Sequence, residues 1–348
     1  MKRNGITLIE VGVVIFIVVI LMALLIPAVT TPREVVRRNQ CSTHLKNLSL
    51  SAIQYEDAND QFPGWVADFG AFDVEGPLSD LFDPTVDAAT LVKHRKIGTW
   101  AVSLLPWLDA QPTYEHWTED RYPIVGGEKR KEGLTTGRAG EGYTMLAAPN
   151  LAIFQCPNNQ TPISKNGANS YIANTEIFNS RLVARMPGDL DGTQMTSIDP
   201  PVRLEDFKDG SGNTVLFSES LHALPWHRSG FSDQEDLVFT EDPEEVFYPE
   251  FSRLTNGLIW HEVDWENGGQ AQSIHRINGP VPGGDRFAVV ITPQNAADLA
   301  RPSSAHADGV NAAMADGGTR YFMDSIDMKV WHALLTPAGR EPISPDAF

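Results

Sequence analysis

A chain of 348 residues with 42% hydrophobic content is long enough for one large domain or two smaller ones and too apolar to be disordered. Its formal net charge is -18; five of the 27 Lys/Arg and two of the 45 Asp/Glu fall in residues 1–40, so the remainder holds 22 basic and 43 acidic side chains. A body of that sign repels phosphate backbones and carries no Gly-rich phosphate cradle, which argues against nucleic acid as a partner and leaves cations open.

The first element is an apolar run from Ile6 to Val29. As a helix at ~1.5 Å per residue it is long enough to cross a hydrocarbon core of ~30 Å. One acid interrupts it. An unpaired carboxylate at bilayer depth costs ~2.5–3.5 kcal/mol even on lenient scales, so Glu10 needs either a partner or a shallow position at headgroup level. Pro27 lacks an N–H and crowds the preceding turn, which predicts a kink late in the run. The alternative for the whole segment is a cleaved export signal, whose nearest small-residue site lies around Ala28. Arg33, Arg37 and Arg38 on the far flank outnumber Lys2 and Arg3 on the near one, against the positive-inside tendency for an exported head.

The junction Gly5-Ile6-Thr7-Leu8-Ile9-Glu10 behind Lys2 and Arg3 resembles the leader of type IV prepilins and type II secretion pseudopilins, with Ile6 where that family usually has Phe. The resemblance implies cleavage after Gly5 by a prepilin peptidase and methylation of the new amine of Ile6. It also gives Glu10 a role in assembly, pairing with that amine on a neighbouring subunit. Two charges meeting in a low-dielectric place specify register, because misaligned subunits leave both unpaired. Pro27 matches the depth at which the family carries a proline.

From Thr31 onward the pattern turns amphipathic. Val35, Cys41, Leu45, Leu48, Ala52 and Tyr55 follow a three-and-four spacing, with Arg37, Arg38, Asn39, Gln40, Lys46 and Asn47 between them. One face of this helix, residues 31–58, is expected to continue the apolar helix 6–30 into a globular head, 59–348. Trp100–Leu108 predicts a helix with a proline break. Ala152–Gln155, Ser170–Asn174 and Thr214–Ser218 read as short strands; Gly309–Ala315 and Thr319–Phe322 read as a hairpin turning at Asp316-Gly317-Gly318. Stretches 68–96, 119–150, 178–200 and 227–285 are acidic or rich in Gly and Pro and read as surface insertions.

His306 precedes Asp316-Gly317 by nine intervening residues, and RRNQCSTHLKNLSLSAIQYEDANDQFP, WAVSLLPWLD, FQCP, SYIANTE and NTVLFSES precede that ending in order. This set resembles a large family of prepilin-like proteins, abundant in planctomycetes and marked by the His-x9-Asp-Gly ending. The implied fold is α+β and pilin-like, a long N-terminal helix packed on an antiparallel β-sheet head with long loop insertions. The family's biochemical role is not implied. His306 reads either as a metal ligand or pH-sensitive contact, or as a histidine that bonds a neighbouring turn and holds the hairpin; Asp316 and Gly317 read as turn formers.

Cys41 and Cys156 both fall within motifs of that family. In an exported head they are either bridged, clamping helix to head, or two buried thiols. Asp189-Leu190-Asp191-Gly192 offers oxygens to a structural Ca²⁺ but is short of an EF-hand loop, and a plain acidic turn is the competing reading. His261-Glu262-Val263-Asp264-Trp265 has Trp265 where a zinc protease needs its second His. Ser211 and Ser218 lack a Gly-x-Ser-x-Gly elbow. No constellation calls for an enzyme or a cofactor.

The expectation is a structural subunit, spanning the inner membrane once with its head outside the cytoplasm. It would assemble with other pilin-like subunits of a pilus or secretion machine, with membrane lipid around its first helix. The alternatives are a monomeric anchored binding protein and an anchored hydrolase.

Overall fold

The computed structural model describes residues 8–72, 94–124, 143–159, 166–175, 177–178, 202–230, 252–260, 276–281 and 283–339; for residues 23–33 it describes the backbone alone. Helix α1 (Leu8–Asn59) is one element of 52 residues, about 78 Å at ~1.5 Å per residue, and it is continuous through position 27. Its first part, Leu8 to Met22, is exposed throughout. Among the described residues no helix is long and apolar enough to cross a membrane.

The C-terminal half of α1 packs on the head through Cys41, Leu45, Leu48 and Ala52, all fully buried, with Tyr55 partly so. Val35 departs from the expected face and is 45% exposed. The reason lies in the helical repeat. Positions 34, 41, 48 and 55 share one face at seven-residue spacing, as do 38, 45 and 52, so the N-terminal end of the contact face is made by Glu34 and Arg38.

The head is mixed α+β. Strands β1 (Val66–Phe72) and β2 (His94–Thr99) form an antiparallel pair. The larger sheet has the order β5-β3-β4-β6-β7, from β3 (Tyr171–Asn174), β4 (Val215–Glu219), β5 (Gly257–Leu258), β6 (Gly309–Met314) and β7 (Thr319–Met323). The pairs β3–β4, β4–β6 and β6–β7 are antiparallel, whereas β5 lies parallel to β3, so the sheet is not wholly antiparallel. Alternation along β6, and a bulge between Val215 and Phe217 in β4, serve two cores. Phe217 and Ala313 face α1, helix α2 (Trp100–Leu104) and a cluster of Trp100, Phe154, Tyr171 and Trp226. Val215, Val310, Ala312 and Met314 face the opposite way, onto Trp331 of α4 (Met328–Ala333), a helix that follows α3 (Gln111–Thr118). Both faces of the sheet are thus covered, which explains why β4 and β6 are buried along their whole length.

Thr99 caps α2 by accepting from the N–H of Ala101, and Pro106 then tightens the chain into a 3-10 turn over Leu105–Leu108. Several sequence expectations change. Of the stretches read as surface insertions, 227–285 holds β5 with the buried Thr255, Asn256, Leu258 and Ile277, and 119–150 places Ile124, Tyr143, Ala147 and Ala148 in the core. Ala152–Phe154 is a 3-10 turn, closed by N–H groups of Phe154 and Gln155 donating to Leu151 and Ala152 carbonyls, and not a strand. Within 68–96, expected to be an insertion, lie most of β1 and the start of β2. Charged residues in both strands mask their pattern: the Arg95 guanidinium pairs with Asp68 across the ladder, and Lys96, fully buried, donates to the His116 and Glu119 carbonyls.

Candidate functional site

Strand β6 runs alongside α1 in the same direction, and the two ends of the His-x9-Asp-Gly motif meet the helix at two separate points. At the far end the tight turn after β6 rests on the helix. The Asp316 carboxylate accepts the Gly318 N–H at 2.7 Å, Gly317 has φ +82°, and a Cβ there would sit 2.8 Å from the Leu50 side chain. Ser49 of α1 donates to the Met314 carbonyl at 2.7 Å, and Ser42 bonds Thr319 at 2.7 Å. Asp316 and Gly317 therefore act as turn residues whose shape lets β6 approach α1.

At the near end the loop before β6 turns His306 inward. Ser304 accepts the His306 N–H at 3.1 Å and donates to the Gly309 carbonyl at 2.7 Å. The imidazole, with a side chain fully shielded from solvent, reaches two carboxylates: Nδ1 lies 2.7 Å from Glu34 Oε1 on α1, and Nε2 lies 3.2 Å from Glu219 Oε1 at the end of β4. Asn158, in the turn after Cys156, also lies 3.4 Å from Nδ1, so the imidazole meets a neighbouring turn as well as joining the loop before the hairpin to the helix and to β4. Burial disfavours its protonation, but hydrogen bonds and charge from Glu219, then from Glu34, outweigh that and raise its pKa above the ordinary histidine value.

The carboxylates are themselves held. Glu219 Oε2 accepts the Asn311 N–H at 2.8 Å and Oε1 accepts its side-chain amide at 3.0 Å. Glu34, 41% exposed, accepts from the Asn158 amide at 3.1 and 2.9 Å, and Asn158 Oδ1 in turn accepts from Arg37 at 3.1 Å. Cys41 and Cys156 are joined by a disulfide, with Cα atoms 5.3 Å apart. Cys156 Sγ lies 3.5 Å from His306 Nε2 and 3.9 Å from Glu219 Oε1. Next to this, the Arg38 guanidinium stacks over the Tyr321 ring at 4.7 Å, and the Tyr321 hydroxyl donates to the Ala307 carbonyl.

The motifs thus converge. RRNQC supplies Arg37, Arg38 and Cys41, FQCP supplies Cys156 two residues before Asn158, NTVLFSES supplies Glu219, and the ending supplies His306. With this geometry in hand, the comparison with known families is direct: residues 30–329 match the model described as a protein of unknown function, DUF1559. The chain belongs to the DUF1559 family. No curated protein and no solved structure matches it. The matched region begins just before Glu34 and ends beyond β7, so in this DUF1559 chain it takes in the whole cluster.

Glu34 and Glu219 were not singled out from the sequence. Glu34 is signalled by its place seven residues before Cys41 on a face that is otherwise buried, and Glu219 by an acid closing the buried run Val-Leu-Phe-Ser. Glu10 lies exposed in the first turn of α1. Ser218 donates to the Asn311 carbonyl within the sheet, a structural bond. Gly5, Ile6, Asp189, Asp191 and the stretch 261–265 lie outside the described residues, as does the side chain of Pro27. Cys41, Cys156, Glu219, His306 and Asn311 are buried, while Glu34, Arg37, Arg38, Asn158 and Tyr321 are partly so, and the arrangement joins four chain segments.

Proposed function

We propose that this DUF1559 chain is a prepilin-like structural subunit, processed after Gly5. It is anchored in the inner membrane by the apolar part of α1 and assembled through it with other pilin-like subunits, holding an acidic head outside the cytoplasm. The observation that carries this reading is α1 itself: one helix whose exposed N-terminal part is apolar from Val11 to Met22, and whose C-terminal part is built into the core of the head. An apolar surface of that extent on a helix leaving its domain is covered by lipid or by like helices. Support comes also from the Gly5-Ile6-Thr7-Leu8-Ile9-Glu10 junction and from the disulfide, which belongs to an oxidising compartment. In the assembly Glu10 pairs with the Ile6 amine of a neighbouring subunit.

Intact mass and N-terminal sequence of the chain isolated from its native membrane test the processing, and a Glu10→Ala variant tests the assembly. The expected chain begins at Ile6 with a methylated amine, and the variant stays in the membrane but no longer enters high-mass assemblies. A chain that still begins at Met1 overturns the processing and leaves a simply anchored protein, and a variant that assembles as well as the parent overturns the role of Glu10 in assembly.

A further inference from the structure

The cluster that joins α1 to the head has a second chemical capacity that the disulfide conceals. Cys41 Sγ, Cys156 Sγ, His306 Nε2 and Glu219 offer one ligand atom each, all within 4.8 Å of one another and all from buried residues. We propose that in the reduced state these four side chains bind one thiophilic divalent cation of the Zn²⁺ type, so that the bridge and the metal are alternative ways of closing the same clasp.

The spacing supports this directly. For metal bonds of about 2.3 Å to sulfur and 2.0–2.2 Å to nitrogen and oxygen, a tetrahedron has N–O, S–N and S–O edges of about 3.4, 3.5 and 3.6 Å. The corresponding separations here are 3.2 Å for Nε2 to Glu219 Oε1, 3.5 Å for Cys156 Sγ to Nε2, and 3.9 Å for Cys156 Sγ to Oε1. Three of the four ligands are therefore already placed as the corners of a metal site. The fourth, Cys41, sits on a packed helix beside them, and the two sulfurs need only part to about 3.8 Å, the edge for two metal-bound thiolates.

The surrounding groups have the arrangement that metal sites use to orient ligands. His306 turns Nε2 toward the cluster while Nδ1 holds Glu34 at 2.7 Å, the carboxylate–histidine pairing that sets tautomer and ring orientation in such sites. Asn311 donates to both oxygens of Glu219 and leaves a lone pair of Oε1 facing His306. Two sulfurs, an imidazole and one carboxylate favour zinc-like ions over Ca²⁺ or Mg²⁺, which require oxygen. The chemistry balances. A phosphine delivers two electrons to the bridge and leaves as its oxide, taking an oxygen from water whose two protons go to the sulfurs; each cysteine thiol then releases its proton to solvent as its sulfur binds the cation.

Cobalt is the probe. The full chain in detergent, reduced anaerobically with a phosphine and titrated with Co²⁺, is expected to bind one ion per chain. Thiolate-to-cobalt charge-transfer bands and the intense visible bands of a tetrahedral site mark binding, and stoichiometric Zn²⁺ displaces them. The oxidised chain, identical in sequence and fold, is expected to show none of this. Glu34→Gln leaves all four ligands in place and is expected to weaken binding about 10–100-fold, the loss typical of a removed orienting partner. A reduced chain that keeps its near-UV circular dichroism yet gives no such bands overturns the proposal. Bands that persist in Cys156→Ser, appear equally in the oxidised chain, or are indifferent to Glu34→Gln do so as well, because they report an adventitious ion only.

Discussion

Reducing the Cys41–Cys156 bridge in the presence of a chelator separates what the crosslink does from what the surrounding contacts do. The bridge closes a loop of 115 residues. On the chain-entropy model, releasing a loop of that length returns about 5 kcal/mol of conformational freedom to the unfolded chain at 25 °C. The native state loses little by comparison. Leu45, Leu48 and Ala52 stay buried, Ser49 still donates to Met314, and His306 still spans Glu34 and Glu219. The expected signature is therefore a native-like fluorescence and near-UV spectrum from the buried Trp100, Trp117, Trp226 and Trp331, together with a lower unfolding midpoint. For a chain of this size a shift of about 2 °C per kcal/mol makes the fall roughly 10 °C. Thermal unfolding of the full chain in detergent, with mass analysis after alkylation to verify two free thiols, measures it. An unshifted midpoint with both thiols free would refute the entropic account. A native spectrum that collapses on reduction would refute it differently, by making the bridge the principal contact between α1 and the head.

Two further outcomes are expected. Gly309→Ala should lower stability by about 1–3 kcal/mol in denaturant unfolding, because its Cβ would run into the Phe322 carbonyl of the paired strand, a backbone atom that cannot turn aside. Gly283→Ala, with nothing near its Cβ and only a φ of +82° to accommodate, should cost about 1 kcal/mol; equal costs would show that β7 yields freely. The second concerns His222, which burial, aided by the Arg301 charge, holds down at about 4 against an ordinary 6.5. Above pH 6.5 it is neutral in both folded and unfolded chains and contributes no slope. As pH falls from 6.5 to 4 the unfolded chain takes a proton that the native one refuses, so stability declines by up to about 3 kcal/mol. In His222→Gln the acid slope over that window should be shallower by up to one proton, and an identical slope would refute the assignment.

Local pattern carried a good part of this molecule. The three-and-four spacing from Cys41 to Tyr55 marks the buried face of α1. The Trp100–Leu108 helix breaks at its proline, and the runs that become β3, β4, β6 and β7 are apolar stretches bounded by turn residues, with Asp316-Gly317-Gly318 closing the last pair. Each of these is a preference of neighbouring residues for one backbone periodicity, and it is written within a few positions of where it acts. Where polar groups find partners across the fold the pattern fails. Lys96 and Arg95 hide β2, and β5 is two residues long and joins β3 in parallel only because the chain returns from far away.

The cluster around His306 shows the same division. The sequence by itself determined which residue types were available: a histidine separated from Asp-Gly by nine residues, two cysteines, and an acid on the α1 face at position 34. Only the tertiary structure decided that they meet. His306 and Glu34 are 272 positions apart, Cys41 and Cys156 are 115 apart, and Glu219 comes from a fourth segment. No local propensity specifies such contacts. They follow from the docking of α1 along β6, which buries one helix face and leaves its carboxylate no solvent on the inner side, so that the imidazole and the two carboxylates must satisfy one another.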